Sequence, residues 1–382
     1  FLYMVEDVFS KISLVKNTKS TYKSMSTLNV FGNTSLMLFH GGLHNEKTQS
    51  CYDNYLRYFK DFFLLKNYDN LIEYDVKTIQ KMLQDYVMYQ RSKGQSHGSI
   101  SGNLSALKLF YEMNDVLGLN WLKLRKMLPE KRKKKGKIPY TTKQIDTLLK
   151  TSKNLTYRAL INFMASSGVR VGSFEEFKIK DVFTPDFDSQ GCKAVLVYAD
   201  TIYEYHTFIH QEAVEALDEY LDHRRIKGEV ITPDSWLFCS PIDSSKHYSG
   251  NAITSTLSRH VKRALGREQT DRSRYDTMAC HGFRKRFVTA MKNNDQVNIS
   301  LAEKLAGHSV TVPLDDSYHI PLLERLFVEY QKHIPQLVIN EKYALKLEIK
   351  TLQDKDSEIA ILKQTMLEMK YNMLELQKKI KS

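Results

Sequence analysis

Apolar residues recur at helical spacing between residues 45 and 128. The three sets are Tyr52, Leu56, Phe59, Phe62 and Phe63; then Ile79, Met82, Leu83, Tyr86 and Val87; then Ile100, Leu104, Leu107 and Phe110. Residues at i, i+3, i+4 and i+7 lie on one face of a helix. Gly94 is placed to end the second helix, Ser96 or Ser99 to cap the third, and Trp121–Leu128 to form a short fourth. The pattern predicts a compact helical domain whose aromatic rows form its core.

The pattern changes beyond residue 140, where short helices surround two β-like segments. Thr141 or Thr142 is a candidate N-cap for the next helix. The expected helices are Lys143–Lys150, Tyr157–Ser166, Gln211–Arg225, Asn251–Leu265 and a helix through Leu301–Ala306 that Gly307 ends. Ala194–Tyr198 and Tyr205–Ile209 alternate β-branched and aromatic residues around a short turn, which predicts a β-hairpin. Residues 140–335 are therefore expected to form a mainly α domain with a small β-sheet, an α+β fold.

The C-terminal segment, residues 336–382, carries a seven-residue repeat. Its main positions are Leu345, Leu352, Ile359, Met366, Met373 and Ile380, with Leu362, Met369 and Leu376 at the companion position. A sustained heptad is typical of a coiled coil. Two earlier companion positions, Glu348 and Lys355, are polar, so a long amphipathic helix packed on its own domain is the alternative. We favour a self-associating coiled coil.

The other end of the chain is less informative. Residues 1–44 show little periodicity and contain Gly32, Gly41 and Gly42, so a loop or tail is expected there. The chain begins with Phe1, which we interpret as the start of a fragment or of a processed product. No function is assigned to this segment.

Positive charge is concentrated in one stretch. The net charge is +12, and Lys123–Lys137 holds nine Lys or Arg against one Glu. Residues 129–139 read as a basic linker, bracketed by prolines and extended by like charges. The candidate DNA contacts are Lys131, Arg132, Lys133, Lys134, Lys135 and Lys137. A flexible basic strap could close around a duplex and neutralise phosphates; the alternative is a solvated linker that only keeps the protein soluble.

Cysteine spacing and hydropathy argue against several other classes. The four cysteines are scattered, with no metal-ligand spacing, so reduced thiols are expected. No apolar run is long enough to span a bilayer, and the N-terminal stretch does not resemble a signal peptide. We therefore expect a cytoplasmic protein with no membrane association and no metal.

A histidine and an arginine three residues apart are the first chemical signal. His281 and Arg284 lie at i and i+3 of an expected helix, so both side chains would face the same space. A titratable imidazole beside a planar cation suits a phosphate that must be held and must exchange a proton. Three further features align with this pair: Arg170 after Ser-Ser-Gly-Val, His308 after Leu-Ala-Gly, and Tyr318 ten residues later.

The order Arg170, His281-x-x-Arg284, Leu305-x-Gly-His308 and Tyr318 resembles the tyrosine recombinase, or phage integrase, family. The local sequences Met-Ala-Ser-Ser-Gly-Val-Arg, which ends at Arg170, and His-Gly-Phe-Arg-Lys, which starts at His281, look closest to integrases of archaeal viruses and mobile elements. The resemblance implies that residues 45–128 are a DNA-binding core-binding domain and that residues 140–335 are the catalytic domain.

The same resemblance implies roles for the five residues. Tyr318 would form a 3′-phosphotyrosyl ester, Arg170 and Arg284 would hold the phosphate oxygens, His281 would act as general base or acid, and His308 would donate a hydrogen bond to the phosphate. The implied activity is site-specific DNA recombination for integration or excision of a mobile element, without ATP or metal. The implied partners are duplex attachment sites and other copies of the chain, as a tetramer on DNA in the nucleoid of a prokaryote.

Two departures from the family leave alternatives open. The turn Asp200-Thr201-Ile202-Tyr203 lacks the lysine that protonates the leaving oxygen, and Lys193 lies at the start of a strand instead. Ser173 stands where an acidic residue is usual, while Glu175 and Glu176 are out of register. The alternatives are a DNA relaxase resembling type IB topoisomerases, a DNA-binding or architectural protein without activity, or a coiled-coil interaction protein. Tyr330 is the competing nucleophile.

Overall fold

The computed structural model of the chain describes residues 34–131, 138–266, 276–293, 297–308 and 322–381. The chain divides into two compact units, Phe1–Lys133 and Lys134–Ser382. Three predictions fall outside the described residues: the tail at 1–33, the basic linker at 132–137, and Tyr318.

The first unit is helical, and its helices begin at polar caps. The helices are α1 (Thr34–Gly41), α2 (Glu46–Phe62), α3 (Val76–Ser92), α4 (His97–Met113) and α5 (Trp121–Lys126), with a 3₁₀ turn at Asp69–Leu71. Asn45, Asp75, Ser96 and Asn120 each accept a hydrogen bond from a first-turn amide, which satisfies a donor that the helix leaves open. The four expected helices are therefore present, and of the two proposed caps Ser96 is the one used.

Helix α1 corrects the expectation of loop at its positions. Phe39 is fully buried, its ring lies 5.8 Å from that of Phe110, and Ser35 Oγ donates to Asp69 at 2.6 Å. Eight residues are too few to show helical periodicity, and an isolated helix of that length is unstable in water. Contacts with the rest of the unit therefore stabilise this helix.

The second unit contains most of the helices. They are α6 (Thr142–Thr151), α7 (Leu155–Ser167), α8 (Gln211–Ile226), α9 (Gly250–Leu265), α10 (His281–Lys292), α11 (Ile299–Leu305), α12 (Leu323–Gln331), α13 (Ile334–Leu337) and α14 (Glu341–Lys381). Thr141 caps α6 in a reciprocal box with Gln144. The predicted helices are confirmed, with ends shifted by at most two residues.

A three-stranded antiparallel sheet packs within this helical unit. Its strands are β1 (Val182–Phe183), β2 (Lys193–Val197) and β3 (Tyr205–Ile209), in that order. The hairpin is confirmed, with Lys193 opposite Ile209 and Val197 opposite Tyr205. Strand β1 was missed because two residues are too short to alternate visibly.

Helix α7 lies at the centre of the second unit. Every residue from Ala159 to Ser167 is buried. Helices α8 and α10 pack against it. A helix that is buried all round positions its own end firmly, and the end of α7 leads directly to Arg170.

The segment that leads to α14 is tied to two buried charges. Arg286 donates to the carbonyls of Leu337 and Gln336 at 2.9 and 2.8 Å. Glu212 accepts from the amides of Ile339 and Asn340 at 2.9 and 3.1 Å. These contacts hold the chain where α14 begins.

Helix α14 itself has 41 residues, about 62 Å at 1.5 Å per residue. Its heptad residues Leu345, Leu352, Ile359, Met366 and Met373 are all about half exposed or more. The continuous helix agrees with the heptad pattern, while self-association stays a prediction. In the part of the chain that the structure describes, no helix is long and apolar enough to cross a membrane.

Candidate active site

Arg170 is placed by the way α7 ends. Gly168 follows the helix at φ +64°, and its amide donates to Met164 O at 3.0 Å. A Cβ at Gly168 would overlap the ring of Phe287, so glycine is required for both conformation and space. Ser173 Oγ then donates to the carbonyl of Arg170 at 2.7 Å. The residue that replaces the usual acid thus holds the Arg170 backbone.

Arg284 links three segments of the unit. Its side chain is buried, Nη1 donates to Gly168 O at 2.8 Å, and Nη2 donates to Ala306 O. Arg170 Nη1 donates to Gly307 O at 2.9 Å. Both guanidinium groups therefore point at the same backbone turn, although their sequence positions are far apart.

His281 is the first residue of α10 and faces solvent. Partial burial lowers the pKa of His281, and the nearby cations Lys285, Arg284 and Arg170 lower it further. A neutral imidazole is therefore the dominant form near pH 7. The expected helix and the i, i+3 relation to Arg284 are confirmed, at the helix start rather than inside it.

His308 follows α11 through a glycine turn. Gly307 has φ +58°, and a Cβ there would overlap the ring of Tyr205. The amide of His308 donates to Glu303 O at 3.0 Å, and its Nδ1 lies 2.5 Å from Glu303 Oε2. The motif did not single out Glu303 as the partner of His308; a carboxylate five residues before a histidine was its only sequence signal.

Tyr205, on β3, lies close to Gly307 and to both arginines. Its hydroxyl is buried and makes no hydrogen bond of ordinary geometry with the described residues. Burial raises the pKa of Tyr205, while Arg284 and Arg170 lower it in part because both guanidinium groups are close. The hairpin thus contributes an aromatic ring close to both arginines.

The structure excludes Tyr330 as a nucleophile. Its side chain is fully buried, and its hydroxyl lies 2.8 Å from Ser166 Oγ and donates to Ser166 O at 3.1 Å. Tyr318 belongs to the residues outside the described ranges, so its role stays a prediction.

Lys193, weighed as the catalytic acid, and Glu175, weighed in place of the usual acidic residue, have other partners. Lys193 Nζ lies 3.1 Å from Asp218 on α8, which places it outside the hairpin turn. Glu175 accepts from the Gly250 amide, at the start of α9, at 2.8 Å. Neither residue belongs to the cluster of Arg170, His281, Arg284 and His308.

Of the basic strap, only Lys131 is described, and it is exposed. The first unit also has two exposed aromatic side chains beside cations, which the periodicity did not single out. Tyr58 and Tyr89 are exposed, with Arg57 5.1 Å and Lys93 5.6 Å from the respective ring centres. The buried aromatic rows form the expected core, but these two rings lie outside it.

Arg170, His281, Arg284 and His308 form a cationic cluster on a mainly helical unit with a small sheet, and the sequence comparisons agree with this geometry. Residues 140–311 match the sequence model of the phage integrase family. A curated protein named as a tyrosine recombinase, from Caldanaerobacter subterraneus subsp. tengcongensis, is 31% identical over 112 residues. That match covers 26% of this chain and 36% of the relative, so the aligned stretch spans about a third of that protein.

Solved structures share the fold. The Tn1549 transposon integrase (residues 82–397) in complex with circular intermediate DNA has a TM-score of 0.52 and 17% identity, over 78% of this chain and 99% of that one. The same integrase with transposon right end DNA has a TM-score of 0.51 and 16% identity, over 78% and 98%. Residues 140–311, somewhat less than half of the chain, thus match the phage integrase family, the tyrosine recombinases. Closeness to archaeal elements stays a prediction.

Proposed function

We propose that this protein is a site-specific recombinase that breaks and rejoins DNA strands through a covalent tyrosine link. The observation that carries the proposal is the convergence of Arg170, His281, Arg284 and His308 around the Gly307 turn, with both arginines donating to that turn. Two fixed cations and two titratable rings in one cluster suit a phosphodiester and are unusual in a merely structural site.

The arginines would stabilise the charge that develops in the reaction. The transition state of phosphoryl transfer spreads negative charge over the non-bridging oxygens, and a planar guanidinium can bind two of them. Hydrogen bonds to Gly168 and Gly307 hold Arg284 and Arg170 in place before substrate arrives. Such pre-organisation avoids reorientation during the reaction.

The proposed nucleophile is Tyr318. Its oxygen would form a bond to phosphorus while the bond from phosphorus to the 5′ oxygen breaks, leaving a 3′-phosphotyrosyl ester and a 5′-hydroxyl. His281, neutral near pH 7, would accept the tyrosine proton, and His308 would donate to a phosphate oxygen. Attack by a 5′-hydroxyl of a partner strand reverses these steps, so the reaction needs neither ATP nor metal.

DNA would be bound by both units. The strap residues Lys131, Arg132, Lys133, Lys134, Lys135 and Lys137 would neutralise phosphates. The exposed heptad face of α14 would pair with another copy, in keeping with a homo-oligomer, tetrameric on DNA. The biological role would be integration or excision of a mobile element at attachment sites in the nucleoid.

Covalent capture tests the proposal directly. The probe is a pool of random-sequence duplexes with 5′-bridging phosphorothiolate links, whose thiolate leaving group needs no proton and rejoins poorly. The wild-type protein should yield adducts that survive denaturation, and sequencing should recover one site. Because the leaving group needs no acid, the missing hairpin lysine does not affect the result.

Two tyrosine variants complete the experiment. Tyr318→Phe should form no adduct while it still binds duplex DNA, whereas the matched control Tyr330→Phe should form adducts. Adducts that persist in Tyr318→Phe would contradict the assignment of the nucleophile. Binding of one site with no adduct in the wild type would favour the architectural alternative.

A further inference from the structure

The buried carboxylate of Glu303 lies within hydrogen-bond distance of His308. Glu303 on α11 is 8% exposed, and its two oxygens are occupied by different partners: Oε2 by His308 Nδ1 and Oε1 by Lys292 Nζ at the end of α10. We propose that Glu303 is a positioning residue, held by Lys292, that fixes the orientation and tautomer of His308 and makes its donation to the phosphate depend on a second proton. The inference rests on the proposed function.

The tautomer follows from the chemistry of the contact. An ionised carboxylate can only accept, so the proton between the two groups belongs to His308 Nδ1. Nε2 is then the ring nitrogen available to a substrate. In the neutral ring Nε2 can only accept, and it donates only when the ring is an imidazolium. Donation from His308 to a phosphate therefore requires the cation.

The carboxyl group of Glu303 is ionised at neutral pH. Burial raises the pKa of Glu303, but hydrogen bonds from Lys292 and His308 outweigh that effect, and the net pKa is lowered. A backbone hydrogen bond also fixes the position of Glu303 relative to His308, because the His308 amide donates to the Glu303 carbonyl at 3.0 Å. The carboxylate is thus ionised and fixed on the same turn as the ring that it orients.

The other charges near His308 oppose its protonation. Burial lowers the pKa of His308, and Arg284 and Arg170 lower it further, while Glu303 is the group that raises it. His281 on α10 is also close enough for the two rings to affect each other. Among these neighbours Glu303 alone carries negative charge, so it is the group that keeps the donor form accessible.

A second cluster of the same composition lies elsewhere in the unit. Glu329 is buried on α12, accepts from Lys332 at 2.8 Å, and lies 3.6 Å from His333. His333 is fully buried, and neither residue contacts His308. Glu329→Gln therefore makes a matched control for the loss of a buried, lysine-bound glutamate.

The test is the pH dependence of single-turnover cleavage of a nicked suicide duplex that carries the captured sequence. The donor form exists below the pKa of His308, so wild-type cleavage should fall as pH rises through it, and His308→Gln should lack that fall. Glu303→Gln removes the anion that favours the imidazolium. Its descending limb should move about one pH unit lower, with cleavage near wild type at acidic pH.

Lys292→Met should not move the descending limb of the pH profile to lower pH. It leaves the carboxylate hydrogen-bonded to His308 and removes a nearby cation, so the limb should stay in place or move to higher pH. A purely structural role would instead lower cleavage in both variants at every pH. Glu329→Gln should leave the limb unchanged, and thermal unfolding of each variant reports its folding.

The outcomes separate the two proposals. Failure of the wild type to form an adduct at any pH overturns the proposed function. An active wild type whose limb is unmoved in Glu303→Gln overturns the role of Glu303, as does a shift to lower pH in Lys292→Met.

Discussion

The cationic cluster around Arg284 and helix α14 differ in where their stabilising contacts come from. Arg284 donates to carbonyls 116 and 22 residues away in the chain. Helix α14 runs for 41 residues, with its heptad side chains exposed along much of its length. The cluster therefore depends on tertiary contacts, whereas the helix depends on its local pattern and, by our proposal, on a second chain. Substitutions in the two regions should have different consequences.

The largest effect is expected from Arg284→Met. Loss of a charged donor to the transition state should slow adduct formation about 10²- to 10³-fold. Leaving the carbonyls of Gly168 and Ala306 unpaired should lower the free energy of unfolding by about 2–4 kcal/mol. Single-turnover cleavage and urea unfolding measure the two losses.

Arg286→Met is the matched control, because Arg286 is also buried and bonded to backbone carbonyls but faces the segment before α14. It should lose comparable stability and keep cleavage at temperatures where it is folded. An equal loss of cleavage in both variants would contradict the special role of Arg284.

Gly307→Ala should have the next largest effect. The backbone at φ +58° is strained for alanine by about 1 kcal/mol, and overlap with the Tyr205 ring adds about 2 kcal/mol. Gly266 has the same φ with open space around it, so Gly266→Ala should lose only the first part. Urea unfolding of both variants measures the difference, and equal losses would show that the contact with Tyr205 is unimportant.

Tyr330→Phe should have a smaller effect. It removes the hydrogen bonds between the hydroxyl and Ser166, which should lower the free energy of unfolding by about 1 kcal/mol. The ring remains to fill the core. Thermal unfolding checks the value, and a gain in stability would contradict a satisfied hydroxyl at this position.

The smallest effect on the folded unit is expected from the double variant Ile359→Glu with Leu362→Glu on α14. Both side chains are exposed, so the free energy of unfolding of the second unit should change by less than about 0.5 kcal/mol. Self-association, measured by light scattering, should be lost because charge is placed in the heptad seam. Gln364→Glu lies off that seam and should preserve association; a wild-type monomer at high concentration would contradict the coiled coil.

Much of the fold could be predicted because its information is local. Helices such as α3 and α4 are long enough to show their period, and the hairpin alternates clearly. Helix α1 and strand β1 could not be predicted, because eight and two residues carry too little pattern and their stability comes from packing partners. The contacts of Ser173 and Glu175 could not be predicted either, because both side chains form hydrogen bonds to the backbone of other residues.

For the site, the order of residue types was enough to name Arg170, His281, Arg284 and His308, because that order is retained in the chain itself. Only the tertiary structure brought both arginines to the Gly307 turn, buried Tyr330 against Ser166, and placed Glu303 next to His308. The physical reason is that motif spacing specifies which side chains a helix presents. Partners, burial and protonation depend on segments that meet only when the chain has folded.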